Sequence, residues 1–119
     1  MSSKVVAIHL LYHPYQAHLD EVKIYRNNIL SLRGWVASKR QISHLKIYFN
    51  GLYIGTTSLS GERPDVQTAF PGYLKQPSGF RFTSRLTNYA KGKGKIRFEL
   101  YLMEKRVGKI RRSYYFPSI

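Results

Sequence analysis

The chain has 119 residues, with 20 Lys and Arg against 6 Asp and Glu, a formal charge of +14 and a sequence pI near 10.3. This is the size of one domain, and 43% apolar with 14% aromatic residues is enough to fill a core, which argues against disorder. The absence of cysteine excludes disulfides, a thiolate nucleophile and Cys-ligated metal centres, and six carboxylates (Asp20, Glu21, Glu62, Asp65, Glu99 and Glu104) leave little material for an enzyme.

In chain order, the apolar run Val5 to Tyr12 reads as a strand. It lacks a small-residue cleavage site and is far shorter than the ~20 apolar residues of a membrane span. The expected location is therefore the cytoplasm, with peripheral attachment to a membrane left open. Val22 to Arg26 and Ile29 to Ala37 read as strands joined by a turn at Asn27-Asn28; a two-residue loop would set Ile24 opposite Ser31, which leaves the register open. In the second of them Leu30, Leu32 and Val36 alternate with Ser31, Arg33 and Trp35.

The strongest signal is Leu45, Ile47 and Phe49, then Asn50-Gly51, then Leu52 and Ile54, with Lys46, Tyr48 and Tyr53 between them. Asn-Gly between alternating runs predicts a two-residue hairpin, since both central residues of a type I′ turn need positive φ. Phe49 should then face Leu52 and Ile47 face Ile54, with the apolar side chains on one side. Asp65 to Phe70 predicts a helical turn capped by Asp65 and stopped by Pro71-Gly72. Gly72 to Gly79 and Lys91 to Lys95 read as loops. Phe80, Phe82 and Leu86 alternate with Arg81, Thr83 and Arg85. A last hairpin joins Ile96, Phe98, Leu100 and Leu102 to a strand from Arg106 to Phe116, in which Ile110, Tyr114 and Phe116 share a face with Arg112 and Gly108 marks a bulge. Seven to eight short strands with little helix predict an all-β, antiparallel sandwich or barrel over residues 1–119.

The succession Gly34-Trp35-Val36-Ala37, the hairpin Ile47 to Gly55, Arg63-Pro-Asp-Val66, Ala69-Phe-Pro-Gly72 and Ser78-Gly-Phe80 resembles the bacterial immunoglobulin-like β-sandwich domains attached to glycosyltransferases and other proteins of surface-polysaccharide assembly. The resemblance covers Asp20 to Phe116. It implies an immunoglobulin-like sandwich over residues 19–117, preceded by an N-terminal strand and connection over 1–18. It also implies architectural roles: Trp35, Asn50 and Gly51 in the strand and hairpin, Arg63 paired with Asp65, and Phe70 and Phe80 pinning the long crossover. The strong basicity and the stretch Val5 to His18 depart from the family pattern.

Catalytic and metal constellations are weak. His9, His13 and His18 lie in a strand-forming segment interrupted by Pro14, which suits surface histidines better than a helical zinc site. Lys91-Gly-Lys-Gly-Lys95 lacks the spacing of a phosphate loop. Glu62 and Asp65 flank a turn rather than a sugar cleft, and no nucleophile elbow occurs. The expectation is a protein that is not an enzyme and has no cofactor.

What carries functional expectation is a basic, tyrosine-rich sheet face: Lys46, Tyr48 and Tyr53 on the first hairpin, and Arg97, Tyr101, Lys109, Arg111 and Tyr115 on the last. Aromatic faces pack against sugars or bases, and neighbouring cations pair with carboxylates and phosphates. The resemblance turns this toward an accessory module of surface-polysaccharide assembly that binds an acidic polysaccharide or glycolipid, or docks a glycosyltransferase-type enzyme. The alternatives are a nucleic-acid-binding β-domain, attachment to an anionic membrane surface, and a protein scaffold that pairs through a sheet edge, including as a homodimer.

Overall fold

A computed structural model describes residues 15–74, 76–86 and 92–116. The chain runs through β1 (Tyr15–Ile24), β2 (Ile29–Ser38), β3 (His44–Phe49), β4 (Leu52–Ser58), a helix α1 (Pro64–Ala69), β5 (Gly79–Arg85), β6 (Gly92–Leu102) and β7 (Lys105–Phe116). These form two antiparallel sheets, one in the order β1-β2-β5 and the other β4-β3-β6-β7. The described residues are thus mostly antiparallel β with one short helix, as expected of an all-β protein. The strand expected at Val5 to Tyr12 lies outside the described residues.

Two-residue alternation builds the core. Leu30, Leu32, Val36 and Phe80 of the first sheet meet Leu45, Ile47, Phe49, Ile96, Phe98, Leu100, Ile110 and Phe116 of the second, all buried. Phe80 and Phe98 bridge the sheets edge to face at 5.6 Å between centroids. Tyr15 ties the sheets at one side, donating its hydroxyl to the Lys109 carbonyl at 2.7 Å and accepting the Lys109 N–H at 3.2 Å.

Several local readings are corrected. The β1–β2 loop has four residues, not two: Tyr25 and Ile29 close it by a hydrogen bond, Asn28 takes positive φ, and Ile24 pairs with Leu30 rather than Ser31. Both apolar residues of that pair are thereby buried. The first strand also starts at Tyr15, so residues 15–18 belong to the sheet. In the Asn50-Gly51 hairpin Phe49 does pair with Leu52, but a bulge puts Gly55, not Ile54, opposite Ile47, and Leu52 stays exposed. The β6–β7 bulge falls at Val107, one residue before Gly108. Gly92 to Lys95 is strand rather than loop. A Cβ on Gly94 would lie 2.4 Å from the Phe116 ring and 2.9 Å from Phe49, so the glycine that disguises the strand is what lets those rings close over it.

The crossover from β4 to β5 lies on the outer side of the first sheet. Trp35 packs on Phe70 with centroids 5.5 Å apart, and Phe70 continues to Tyr73. Phe80 instead belongs to β5 and the core. Asp65 is not the cap of α1: Arg63 occupies that position without a side-chain capping bond, and Pro64 starts the helix. The Asp65 carboxylate receives two hydrogen bonds from the Arg63 guanidinium, at 3.1 and 2.9 Å, while a third guanidinium nitrogen reaches Asp20 at 2.9 Å. This bridge fastens the crossover to β1 and, through Arg63 first, holds the Asp65 carboxyl below its ordinary pKa.

Asn50 does more than permit the turn. Its φ is +49° beside +86° at Gly51, its Oδ1 accepts the Lys95 N–H at 2.8 Å, and its own N–H donates to the Lys95 carbonyl at 2.8 Å. Asn50→Gly keeps the backbone conformation and loses the side-chain bond, for about 1 kcal/mol. Asn50→Ala adds the left-handed backbone penalty and should cost about 2–3 kcal/mol. Urea denaturation of the two variants checks this order.

Candidate functional site

The outer face of the second sheet follows from the core by alternation. With Leu45, Ile47 and Phe49 inward, His44, Lys46 and Tyr48 turn outward, and β6 and β7 repeat the pattern. The cross-strand register sorts the face into rows. One runs Tyr53, Tyr48, Arg97, Arg111; the next Thr56, Lys46, Glu99, Lys109; the third Ser58, His44, Tyr101, Arg106. At about 4.8 Å between strands each row spans ~15 Å.

Seven of the eight residues expected on this face therefore form one patch. Tyr115 shares the face, but it stands opposite Lys93, four residues along β7 from Arg111 and about 13 Å away. His44, Glu99 and Arg106 belong to the patch beyond the eight expected binding residues; alternation along β6 places Glu99 outward but does not show its role. Nothing in the spacing of His44 separates it from the connection before β3, and Arg106 joins the third row only because of the bulge at Val107.

The contacts within the patch are specific. The Arg97 guanidinium lies 4.0 Å from the Tyr48 ring centroid, and the Lys46 ammonium 4.5 Å from that of Tyr101. His44 stacks on Tyr101 with ring planes 8° apart, and Tyr53 meets Tyr48 edge to face at 5.6 Å. Tyr53 holds its orientation by a 2.6 Å hydrogen bond between its hydroxyl and that of Thr56.

Glu99 is the organising group. It is 7% exposed, at the centre of the patch, and its carboxylate receives the Tyr101 hydroxyl at 3.1 Å and the Arg106 guanidinium at 3.3 Å, with Arg97 Nε at 3.4 Å. Burial alone would raise its pKa. Hydrogen bonding by Tyr101, Tyr48 and Arg106, and the charge of Arg97, outweigh burial and hold it below the ordinary glutamate range. Burial and the same carboxylate push the Tyr101 phenol up. Lys46, Arg97, Arg106, Lys109 and Arg111 thus surround a single carboxylate, and the face remains strongly cationic around an anchored centre.

Chemically this surface can stack a ring and pair with anions. At its edge the Ser43 hydroxyl stands 2.9 Å from His44 Nδ1 and donates to the Tyr101 carbonyl at 3.0 Å, and among the described residues no group of three or more His, Asp or Glu converges to hold a metal ion. No helix among them is long and apolar enough to cross a membrane. Comparisons with protein-family models, with curated proteins and with solved structures find no match for this chain.

Glu99→Gln should lower stability near neutral pH by about 2 kcal/mol, because Arg97 and Arg106 lose their counter-charge. The sign with pH is set by the depressed folded pKa. Glu99's ionic contribution is complete above the unfolded value of ~4.3 and disappears as pH falls through the lower folded value. Wild type should therefore unfold at higher urea than Glu99→Gln at pH 7, with the difference shrinking below about pH 4.

Proposed function

We propose that this chain is a non-catalytic immunoglobulin-like module that binds an acidic polysaccharide on the outer face of the β4-β3-β6-β7 sheet. The observation that carries the reading is the row Tyr53, Tyr48, Arg97, Arg111, in which exposed aromatic surface leads directly into paired guanidinium groups. A sugar ring can lie on the tyrosines while a carboxylate or phosphate one residue along the glycan meets Arg97 and Arg111. Lys46 and Lys109 in the adjacent row extend the same polarity, which suits a repeating polyanion better than a single charge.

The immunoglobulin-like assignment draws support from the strand order. A three-stranded sheet β1-β2-β5 against β4-β3-β6-β7, with the chain changing sheets after β2, β4 and β5, is the pairing of such a sandwich with its fourth strand in the second sheet. The motif order from Gly34-Trp35 to Ser78-Gly-Phe80 supports a role in surface-polysaccharide assembly. There the module would raise the local concentration of an acidic glycan or glycolipid for a separate enzyme, by charge steering and tethering.

Calorimetric titration of the chain with polygalacturonate, neutral dextran and a single-stranded oligonucleotide at matched salt tests the reading. The expected result is saturable binding to polygalacturonate that weakens with added salt, and no binding to dextran. The double variant Lys109→Ser/Arg111→Ser, whose side chains are exposed, should weaken binding about tenfold or more with unchanged thermal stability. Preference for the oligonucleotide by tenfold would assign the face to nucleic acid instead, and equal binding of dextran would remove the role of charge.

A further inference from the structure

We infer that a cleft on the opposite side of the molecule, beside β5, is a separate binding site for a small anionic sugar, a monosaccharide or disaccharide carrying a carboxylate or phosphate. The cleft has a volume of about 600 Å³, within the range of small-ligand sites. It lies on the first sheet, between β2, β5 and the start of the crossover, and none of its residues belongs to the cationic face of the second sheet.

Its most informative feature is a like-charge pair. Arg33 on β2 and Arg81 on β5 stand directly opposite each other in the register, and both line the cleft. Among the described residues neither has a carboxylate within ion-pair distance. Glu21 stands opposite Arg33 on its other side, but accepts a hydrogen bond from the Ser31 hydroxyl at 3.1 Å. Like charges directly opposed across strands destabilise a sheet. A bound carboxylate or phosphate reverses that sign, since two guanidinium groups present several N–H donors to the same oxygens.

The rest of the cleft is built before any ligand arrives. Its floor is a backbone bridge between Gly61 and Gly79, with N–H to carbonyl distances of 3.0 and 2.9 Å in the two directions. A Cβ on Gly79 would stand 3.2 Å from both the Gly61 carbonyl oxygen and Arg63 Cγ, so glycine is what brings the crossover flat against β5. The third guanidinium, Arg63, is already engaged by Asp20 and Asp65 and serves as wall. Thr57 donates its hydroxyl to the Arg81 carbonyl at 3.1 Å, fixing the backbone from which that arginine projects. Asp20, held by Arg63, and Glu62 and Ser60 complete the lining. Two arginines without an ion-pair partner in the same cleft as the Glu62 carboxylate and the Ser60 hydroxyl suit a ligand with an anionic end and a hydroxylated body, whereas a bare anion has no group to pair with Glu62 or Ser60.

Amide chemical-shift titration of the whole chain with glucuronate, glucose 1-phosphate, glucose and inorganic phosphate tests this. At least one anionic sugar should give saturable shifts at Arg33, Gly61, Gly79 and Arg81 with a dissociation constant near or below ~1 mM. Glucose and inorganic phosphate should bind at least tenfold more weakly. Glucuronate alone would identify the anion as a carboxylate, and glucose 1-phosphate alone as a phosphate. Arg33→Gln and Arg81→Gln should each weaken the sugar tenfold or more without loss of thermal stability, whereas Lys109→Ser/Arg111→Ser should leave it unchanged. The assignment is overturned by shifts confined to β6 and β7, by inorganic phosphate binding as tightly as either sugar, or by no saturation with either sugar at tens of millimolar. Because the double variant removes only the opposite face, failure here and failure of polysaccharide binding there are separate results.

Discussion

Burial of Ile96, Phe98 and Leu100 on one side of β6 is the constraint from which most of the molecule follows. β6 lies inside the second sheet, bonded to β3 on one edge and β7 on the other. Its phase therefore sets the phase of both neighbours. A shift by one residue would carry Lys95, Arg97 and Glu99 into the core and expose the apolar set, at about 25 cal/mol for each Å² of apolar surface returned to water. The cationic face is thus not an independent feature of the surface. It is the other half of the core's alternation, and it is as well determined as the core.

The same constraint explains Glu99. Alternation delivers Lys46, Arg97, Lys109 and Arg111 to adjacent positions, and such crowding needs a negative group at its centre. Glu99 occupies that position, and its carboxylate is almost completely removed from water by the side chains it neutralises. Arg97, one of its ion-pair partners, and the neighbouring Lys46 lie over tyrosine rings, so that the guanidinium and the ammonium are fixed in direction. Fixed cations lose less conformational freedom when an anion arrives than mobile ones do.

What the sequence makes legible is what depends on period and on turn chemistry. The inward residues of β2, β3 and β6, the turn at Asn50-Gly51, and the outward set from Lys46 to Arg111 all follow from alternation over a few residues. The corrections arise where a non-local contact overrides the local pattern. Gly92 and Gly94 read as loop because glycine disfavours strand, yet Gly94 is required by two aromatic rings contributed from β3 and β7. Asp65 has the chemistry of a cap, but an arginine two residues earlier, itself pulled toward Asp20 on β1, takes its carboxylate instead. Ile54 alternates with Leu52 in the sequence, and only the bulge shows that Gly55 faces Ile47.

The cleft beside β5 belongs to this second category, and this is why no run of residues announces it. Its walls come from β1, β2, β4, β5 and the crossover, and its two opposed arginines are 48 positions apart in the chain. The two sheets also manage their positive charge differently. On the second, Glu99 is buried among the cations and neutralises from within; on the first, Asp20 and Asp65 are both drawn to Arg63, and among the described residues Arg33 and Arg81 have no carboxylate within ion-pair distance. A domain with six carboxylates for twenty basic residues cannot neutralise both faces. Two of those carboxylates, Asp20 and Asp65, hold the crossover in place by pairing with Arg63 rather than with the arginine pair across β2 and β5. The Arg63 bridge therefore shapes the cleft together with the Gly61–Gly79 pairing, and it also takes up Asp20, one of the two carboxylates that line it.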